Sequence, residues 1–194
     1  MQVTTLPITP IEKHSGTGGF LDPDRIVEGF EIEEGMAVAD FGSGAGYFTT
    51  ILAHKVGRTG KIYALDIMES ALDIVRAKIR LQQLDNVEAI RANLEVIGNS
   101  GLADNSQDIV LMANILFQSK NKADIIKEGI RVLKIGGKMI IIDWDNTKVG
   151  GFGPPDGIRP SKSEIRSTAE HEGLVFKDNL DAGSFHFGLV FVKS

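Results

Sequence analysis

A doubly wound α/β domain on a mostly parallel sheet is the fold class this sequence predicts, on three observations. From about residue 37, short Val- and Ile-rich runs alternate with longer segments of helical period, which is the sequence form of repeated strand-helix units. The first run leads directly into VADFGSGAGYF, Val38 to Phe48, with glycine at every second position of the turn. The last two runs, LVFKDNL (174–180) and FHFGLVFVK (185–193), have only Asp181 to Ser184 between them. Four residues cannot carry a helical crossover, so this pair predicts a C-terminal antiparallel hairpin.

The elements follow in chain order. Asp22 and Pro23 read as the cap and first turn of a short helix. The strand candidates are AVADF (37–41), KIYALD (61–66), VEAIRA (87–92), DIVLMA (108–113) and KMIIID (138–143), most of them bounded by Gly, Asn or Asp. Between them, Phe48, Ile51, Leu52 and Val56 recur at helical spacing, as do Leu72, Val75 and Ile79, and again Ile126, Ile130 and Leu133. Ser161 and Glu164 stand at capping-box spacing and predict a helix running to about Glu172, ended by Gly173. Residues 1–25 lack periodicity and include the pliable Gly16–Gly19 stretch; they read as an N-terminal segment able to act as a lid, ahead of a single domain over 26–194.

Composition narrows the function. A chain of 194 residues with 42% hydrophobic and 24% charged residues suits one compact domain with a sizeable core. The formal net charge of -5 argues against nucleic acid or an anionic membrane as partner, since phosphate binding needs clustered Lys and Arg. With no cysteine, disulfides, thiolate metal sites and cysteine nucleophiles are all excluded. No metal set is expected. The N-terminus lacks a basic leader followed by an apolar core, and no apolar run approaches the roughly 20 residues that span a bilayer, so the expectation is a soluble cytoplasmic protein. Nothing in the sequence sets an oligomeric state.

The glycine turn decides among ligands. A dinucleotide fingerprint needs G-x-G-x-x-G, but after Gly42, Gly44 and Gly46 the third position falls on Tyr47. A phosphate loop needs a following Gly-Lys-Ser or Gly-Lys-Thr, which is missing. What remains is a turn that lets a ligand lie against bare backbone at the end of the first strand, beside a helix N-terminus. Asp66 closes the second strand about two dozen residues on, where an acidic side chain can accept both hydroxyls of a ribose. The ligand therefore contains a nucleoside.

Taken in order, VADFGSGAGYF, IYALD, IRANLE and LKIGGKMIIIDW resemble the class I S-adenosylmethionine-dependent methyltransferases. The likeness runs from about Asp22 to the C-terminus and is strongest toward the small stand-alone enzymes of ubiquinone and menaquinone biosynthesis, which carry a similar Gly-Pro-Pro segment after the fifth strand. It implies a Rossmann-like, seven-stranded sheet whose terminal hairpin supplies strands six and seven, S-adenosylmethionine as methyl donor and S-adenosylhomocysteine as product. Residue by residue, it implies that Gly42, Gly44 and Gly46 border the methionine part, with Asp40 near its ammonium group. Asp66 would hold the ribose, Ile67 and Met68 would lie along the adenine face, and Leu94 would pack on the ring. Asn93 stands where the family commonly has an acidic residue, a departure that keeps an accepting oxygen for the adenine amino group. Ala113 and Asn114 would line the cofactor beside the methyl.

Displacement at a sulfonium uses an activated donor, so no universal catalytic residue is expected. For a hydroxyl or protonated amine acceptor a base is needed; the candidates are His14 in the leader, His186 in the last strand and Asp143 at the end of the fifth, with Trp144 beside it as an acceptor contact. His54 and His171 fall in helical segments and read as surface residues. The loop Val149–Gly157, rich in glycine and proline, is placed to form one wall of an acceptor pocket. The absence of cysteine excludes the metalloid chemistry of arsenic-methylating relatives. With the chain nearly all core fold, a small-molecule acceptor is the leading expectation. RNA or protein methylation would call for a basic cluster at the cleft mouth, for which Lys120, Lys122 and Lys127 are the nearest candidates; a cofactor-binding protein without transferase activity is the third reading.

Overall fold

A computed structural model of the protein describes residues 21–147 and 153–194. The leader through residue 20, including His14 and the expected lid, and the first part of the 149–157 loop lie outside the described residues.

Seven strands form one sheet: β1 (Ala37–Phe41), β2 (Lys61–Asp66), β3 (Val87–Arg91), β4 (Gln107–Ala113), β5 (Leu133–Trp144), β6 (Leu174–Leu180) and β7 (His186–Lys193). Their order is β3-β2-β1-β4-β5-β7-β6. Strands β3, β2, β1, β4 and β5 run parallel, while β7 is antiparallel to both β5 and β6, as the short connection between the last two strands requires. The order reverses between β1 and β4, so their carboxyl ends open a crevice where ligands of such sheets bind.

Alternation along the central strands builds two cores. Val38, Ile109, Leu111, Ile140 and Ile142 face one side with Leu52 and Ala53. Ala39, Phe41, Val110, Met112, Met139 and Ile141 face the other with Ile126, Ile165 and Ala169. Burial on both faces explains why these strands read as unbroken apolar runs. The first face is covered by α1 (Pro23–Val27) and α2 (Tyr47–Lys55), with α3 (Glu69–Gln82) adding Ile79; the second by α4 (Lys122–Val132) and α5 (Lys162–His171).

The caps follow the sequence closely. Asp22 accepts from the Arg25 amide at the start of α1, and Ser161 Oγ accepts from the Glu164 amide at 3.0 Å at the start of α5. Leu21 and Pro23, at the end of the N-terminal segment, are buried, and Leu21 belongs to the first core. One expectation is corrected. Leu133, read as the end of a helical stripe, has extended backbone (φ -72, ψ 135) and opens β5, pairing with Gln107; the ladder resumes only at Lys138 opposite Ile109. Lys134 to Gly137 thus form an irregular, bulged stretch within β5. A buried leucine satisfies a helix stripe and a strand equally, so periodicity could not place this boundary. Among the described residues, no helix is long and apolar enough to cross a membrane.

Candidate active site

The crevice at the carboxyl ends of β1, β2, β3 and β4 holds a cavity of about 550 Å³, within the size range of small-molecule sites. Ten of the eleven residues read from the sequence as cofactor contacts line it: Asp40, Gly42, Gly44, Asp66, Ile67, Met68, Asn93, Leu94, Ala113 and Asn114. Gly46 is set back from the lining. It caps α2 with φ 73, and a Cβ there would stand 2.9 Å from Val75 Cγ2 on α3. Gly44 has φ 51 and nothing within 4 Å of where its Cβ would be, so its open side is the cleft itself. Gly46 therefore serves helix packing and Gly44 a bare surface for ligand, while a Cβ on Gly42 would stand 2.6 Å from Ile115 Cδ1.

Asp66 joins the two lips of the crevice. One carboxylate oxygen accepts from the Gly44 amide at 2.9 Å and the other from the Met68 amide at 2.9 Å. Each oxygen keeps a further lone pair, so the orientation is fixed while the capacity to accept hydroxyls remains. Asp40, 2% exposed, accepts from Thr49 Oγ1 at 2.6 Å. Burial pushes its carboxyl up to about 6, against the pull of that hydroxyl. Asn93 is tied at both ends: its amide donates to Asn99 Oδ1 at 2.7 Å, and its own Oδ1 accepts from the Glu95 amide at 3.1 Å.

The sequence did not reveal the wall formed by the loops after β3 and β4. Glu95 accepts from Ser119 Oγ at 2.5 Å and from Asn121 Nδ2 at 2.9 Å, and these contacts hold its carboxyl below the usual range. Farther along the loop after β3, the amides of Gly98 and Ser100 donate at 2.7 and 3.3 Å to Glu128 of α4, which is paired with Arg131. Burial opposes the charge on Glu128, but Arg131 and these amides keep its carboxyl below the usual range. No sequence motif announced these residues or Thr49, because each partner is brought in from a different element.

The two described base candidates lie outside the cavity lining. Asp143 is fully buried; Oδ2 accepts from the amides of Leu116 at 2.9 Å and Phe117 at 3.1 Å, and Oδ1 from the Trp144 amide at 2.8 Å. Burial pushes its carboxyl up to about 6 despite those amides. It holds the turn Leu116–Gln118 that brings Gln118 and Ser119 into the cleft wall. His186, 6% exposed, sits against Trp144 with ring centroids 4.2 Å apart, and neither ring nitrogen has a hydrogen-bond partner among the described residues. Burial, with the nearby charge of Arg159, pushes it down to about 4.

The chemistry of the lining tests the cofactor suggested by the sequence. Asp40, Asp66 and Glu95 supply three carboxylates, and no Lys, Arg or His is among the described lining residues, which favours a ligand bearing positive charge. Ser43 Oγ is buried without a partner among the described residues, beside the open face of Gly44. A nucleoside carrying an ammonium and a sulfonium fits this set.

That sheet order, with its reversed hairpin and a cleft of this character, defines the class of S-adenosylmethionine-dependent methyltransferases. Residues 32–172, more than half of the chain, match the family described as "Methyltransferase domain", and the chain belongs to that family. It is 28% identical over 194 aligned residues to the "Ubiquinone/menaquinone biosynthesis C-methyltransferase UbiE" of Haemophilus ducreyi, covering 82% of this chain and 74% of that one. Against the enzyme of the same name from Shewanella sediminis it is 34% identical over 119 residues, 61% of this chain and 46% of that one, so it spans under half the length of that relative. A solved "SAM dependent methyltransferase from Aquifex aeolicus" superposes with a TM-score of 0.82 at 29% identity, covering 90% of this chain and 91% of that one. The cofactor is S-adenosylmethionine, which leaves as S-adenosylhomocysteine.

Proposed function

We propose that this methyltransferase acts on a small-molecule acceptor and that the residues lining the cleft hold the cofactor as follows. Asp66 takes the ribose hydroxyls, Asp40 the ammonium group, and Gly42 and Gly44 the methionine chain, with Gly46 shaping the turn from behind. Ile67 and Met68 lie along the adenine, Leu94 packs on its ring, and Asn93 meets its edge. Ala113 and Asn114 flank the reactive end. The observation that carries this assignment is the pair of hydrogen bonds from Gly44 and Met68 that aim the Asp66 carboxylate across the glycine turn.

When bound, the cofactor supplies a methyl group already activated by the positive sulfur. The chain's own work is alignment and exclusion of water. Phe48, Leu94, Ile115 and Ile125 line the cavity, and fixing two reactants in such a setting lowers a barrier by up to roughly 7 to 11 kcal/mol. Asp143 and His186 receive no proton-transfer role: the first is committed to three backbone amides, and the second is closed under Trp144.

Two facts support a small acceptor. The relatives are named for quinone biosynthesis, and Lys122 and Lys127, two members of the basic cluster considered for RNA or protein, are engaged with Glu164, Asp124 and Glu172. Calorimetry with S-adenosylhomocysteine tests the cofactor contacts. Asp66→Ala should weaken binding about ten- to a hundredfold, the worth of charged hydrogen bonds. Labelled methyl should pass into a metabolite extract in preference to RNA or protein fractions; label confined to RNA would overturn the small-molecule reading.

A further inference from the structure

We propose that Met68 is an oxidative modification site, at which hydrogen peroxide converts the thioether to the sulfoxide and thereby lowers affinity for the cofactor. The proposal rests on the cofactor reading above and adds to the same cleft a regulation by peroxide.

The sequence leaves peroxide few targets. There is no cysteine, so the thiolate chemistry that usually meets peroxide is missing, and sulfur resides in five methionines. Met112 and Met139 are fully buried in the second core. Met36 is half-buried, and its Sδ accepts from the Glu33 amide at 3.3 Å, which engages a sulfur lone pair. Met1 lies outside the described residues. Met68 alone among the described methionines is exposed, at 60%, and it lines the cavity. Hydrogen peroxide is small and uncharged, so the carboxylates of that lining do not repel it as they would an anionic oxidant.

Only the side chain is open. The Met68 amide donates to Asp66 Oδ1 at 2.9 Å, and the Met68 carbonyl accepts from the Ala71 and Leu72 amides at 3.1 and 3.3 Å. Its backbone is extended (φ -88, ψ 111) and caps α3 without help from the side chain. The thioether thus stands on a fixed main chain at the lip of the cleft, and its oxidation changes what the lip offers a ligand without moving the lip. In the reaction, a sulfur lone pair bonds to one peroxide oxygen and the O–O bond breaks with its pair going to the departing hydroxide. That hydroxide takes the proton from the transferred oxygen and leaves as water; sulfur is oxidised by two electrons and the peroxide reduced by two. The product carries a polar oxygen where an apolar, polarisable surface stood. Covering that oxygen with the adenine face strips it of water and returns no hydrogen bond, which weakens binding.

The test is graded exposure to hydrogen peroxide, stopped with catalase before any ligand is added because S-adenosylhomocysteine has a thioether of its own. Peptide mapping by mass spectrometry should show the Met68 peptide gaining one oxygen ahead of those of Met36, Met112 and Met139. Once Met68 is oxidised, calorimetry should give an affinity for S-adenosylhomocysteine lower by at least about fivefold, with the unfolding temperature within about 2 °C of the untreated protein. A methionine sulfoxide reductase should restore the affinity. Met68→Leu should keep, after the same exposure, whatever affinity it had before it, and Met36→Leu should respond as the wild type does. Earlier oxidation of Met36, Met112 or Met139, an affinity unchanged once Met68 carries the oxygen, or an equal loss in Met68→Leu would each overturn the proposal. Failure of the untreated wild type to bind S-adenosylhomocysteine would refute the cofactor reading, and the peroxide effect with it, whatever the order of oxidation.

Discussion

Gly44 and Gly46 stand two residues apart in one turn, share a left-handed backbone, and should nevertheless fail in opposite ways when each is replaced by alanine. A Cβ on Gly44 meets no protein atom within 4 Å, so the stability cost is the backbone strain alone, about 1 to 2 kcal/mol. For a chain of this length that lowers Tm by about 2 to 8 °C. The added methyl projects into the cleft, where it displaces the ligand, and affinity for S-adenosylhomocysteine should fall at least tenfold, or about 1.4 kcal/mol. At Gly46 the same strain is joined by a clash with Val75 Cγ2 at 2.9 Å. Val75 is fully buried, so relief requires shifting α3, about 1 to 3 kcal/mol more, and Tm should fall by about 4 to 20 °C. Because Gly46 does not line the cavity, the folded fraction of that variant should bind within a few-fold of wild type. Thermal unfolding and calorimetry on both variants give the four numbers. Equal unfolding temperatures, or normal binding by Gly44→Ala, would refute the division of the turn into a packing glycine and a ligand-facing one.

Two further outcomes follow from the buried titratable groups. Asp40 ionises near pH 6 and must be charged to attract an ammonium, so affinity for S-adenosylhomocysteine should drop as pH falls through about 6. Thr49→Val removes the hydroxyl that favours the charged form, so the midpoint of that drop should move to higher pH in a calorimetric series. His186 has a folded pKa pressed down to about 4, below the roughly 6.5 of an unfolded chain. The unfolded state therefore binds more protons between these values, and stability is lost as pH falls from about 6.5 toward 4. At pH 5 the loss is about 2 kcal/mol by linkage; His186→Phe should remove it, so its Tm should fall less than the wild type's between pH 7 and 5, and parallel curves would sink the argument.

Much of this fold was legible because its signals are local. Alternation and turn residues placed the seven strands to within a residue or so, except the start of β5, where Leu133 served two periodicities at once. The glycine turn and Asp66 also carried their message in sequence, since a strand end followed by a bare turn has few other uses. Glu95 and Glu128 were illegible for the opposite reason: each meets backbone or side-chain partners 24 or more residues away, and an acidic residue in a loop or on a helix reads as solvated. Asn114 shows a third case. Its position after β4 was evident, but the positive φ that sets it apart exists only once Ile142 and Gln118 hold its backbone.

The wall after β3 also bears on timing. It is fastened at Glu95 to Ser119 and Asn121 and again at Gly98 and Ser100 to Glu128, so opening it means breaking several charge-assisted bonds together. On the opposite lip, Ile67 and Met68 are more than half exposed. Amide exchange at Gly98 and Ser100 should accordingly be slow and concerted, that at Ile67 faster, and the rhythm of product departure set by the exposed lip.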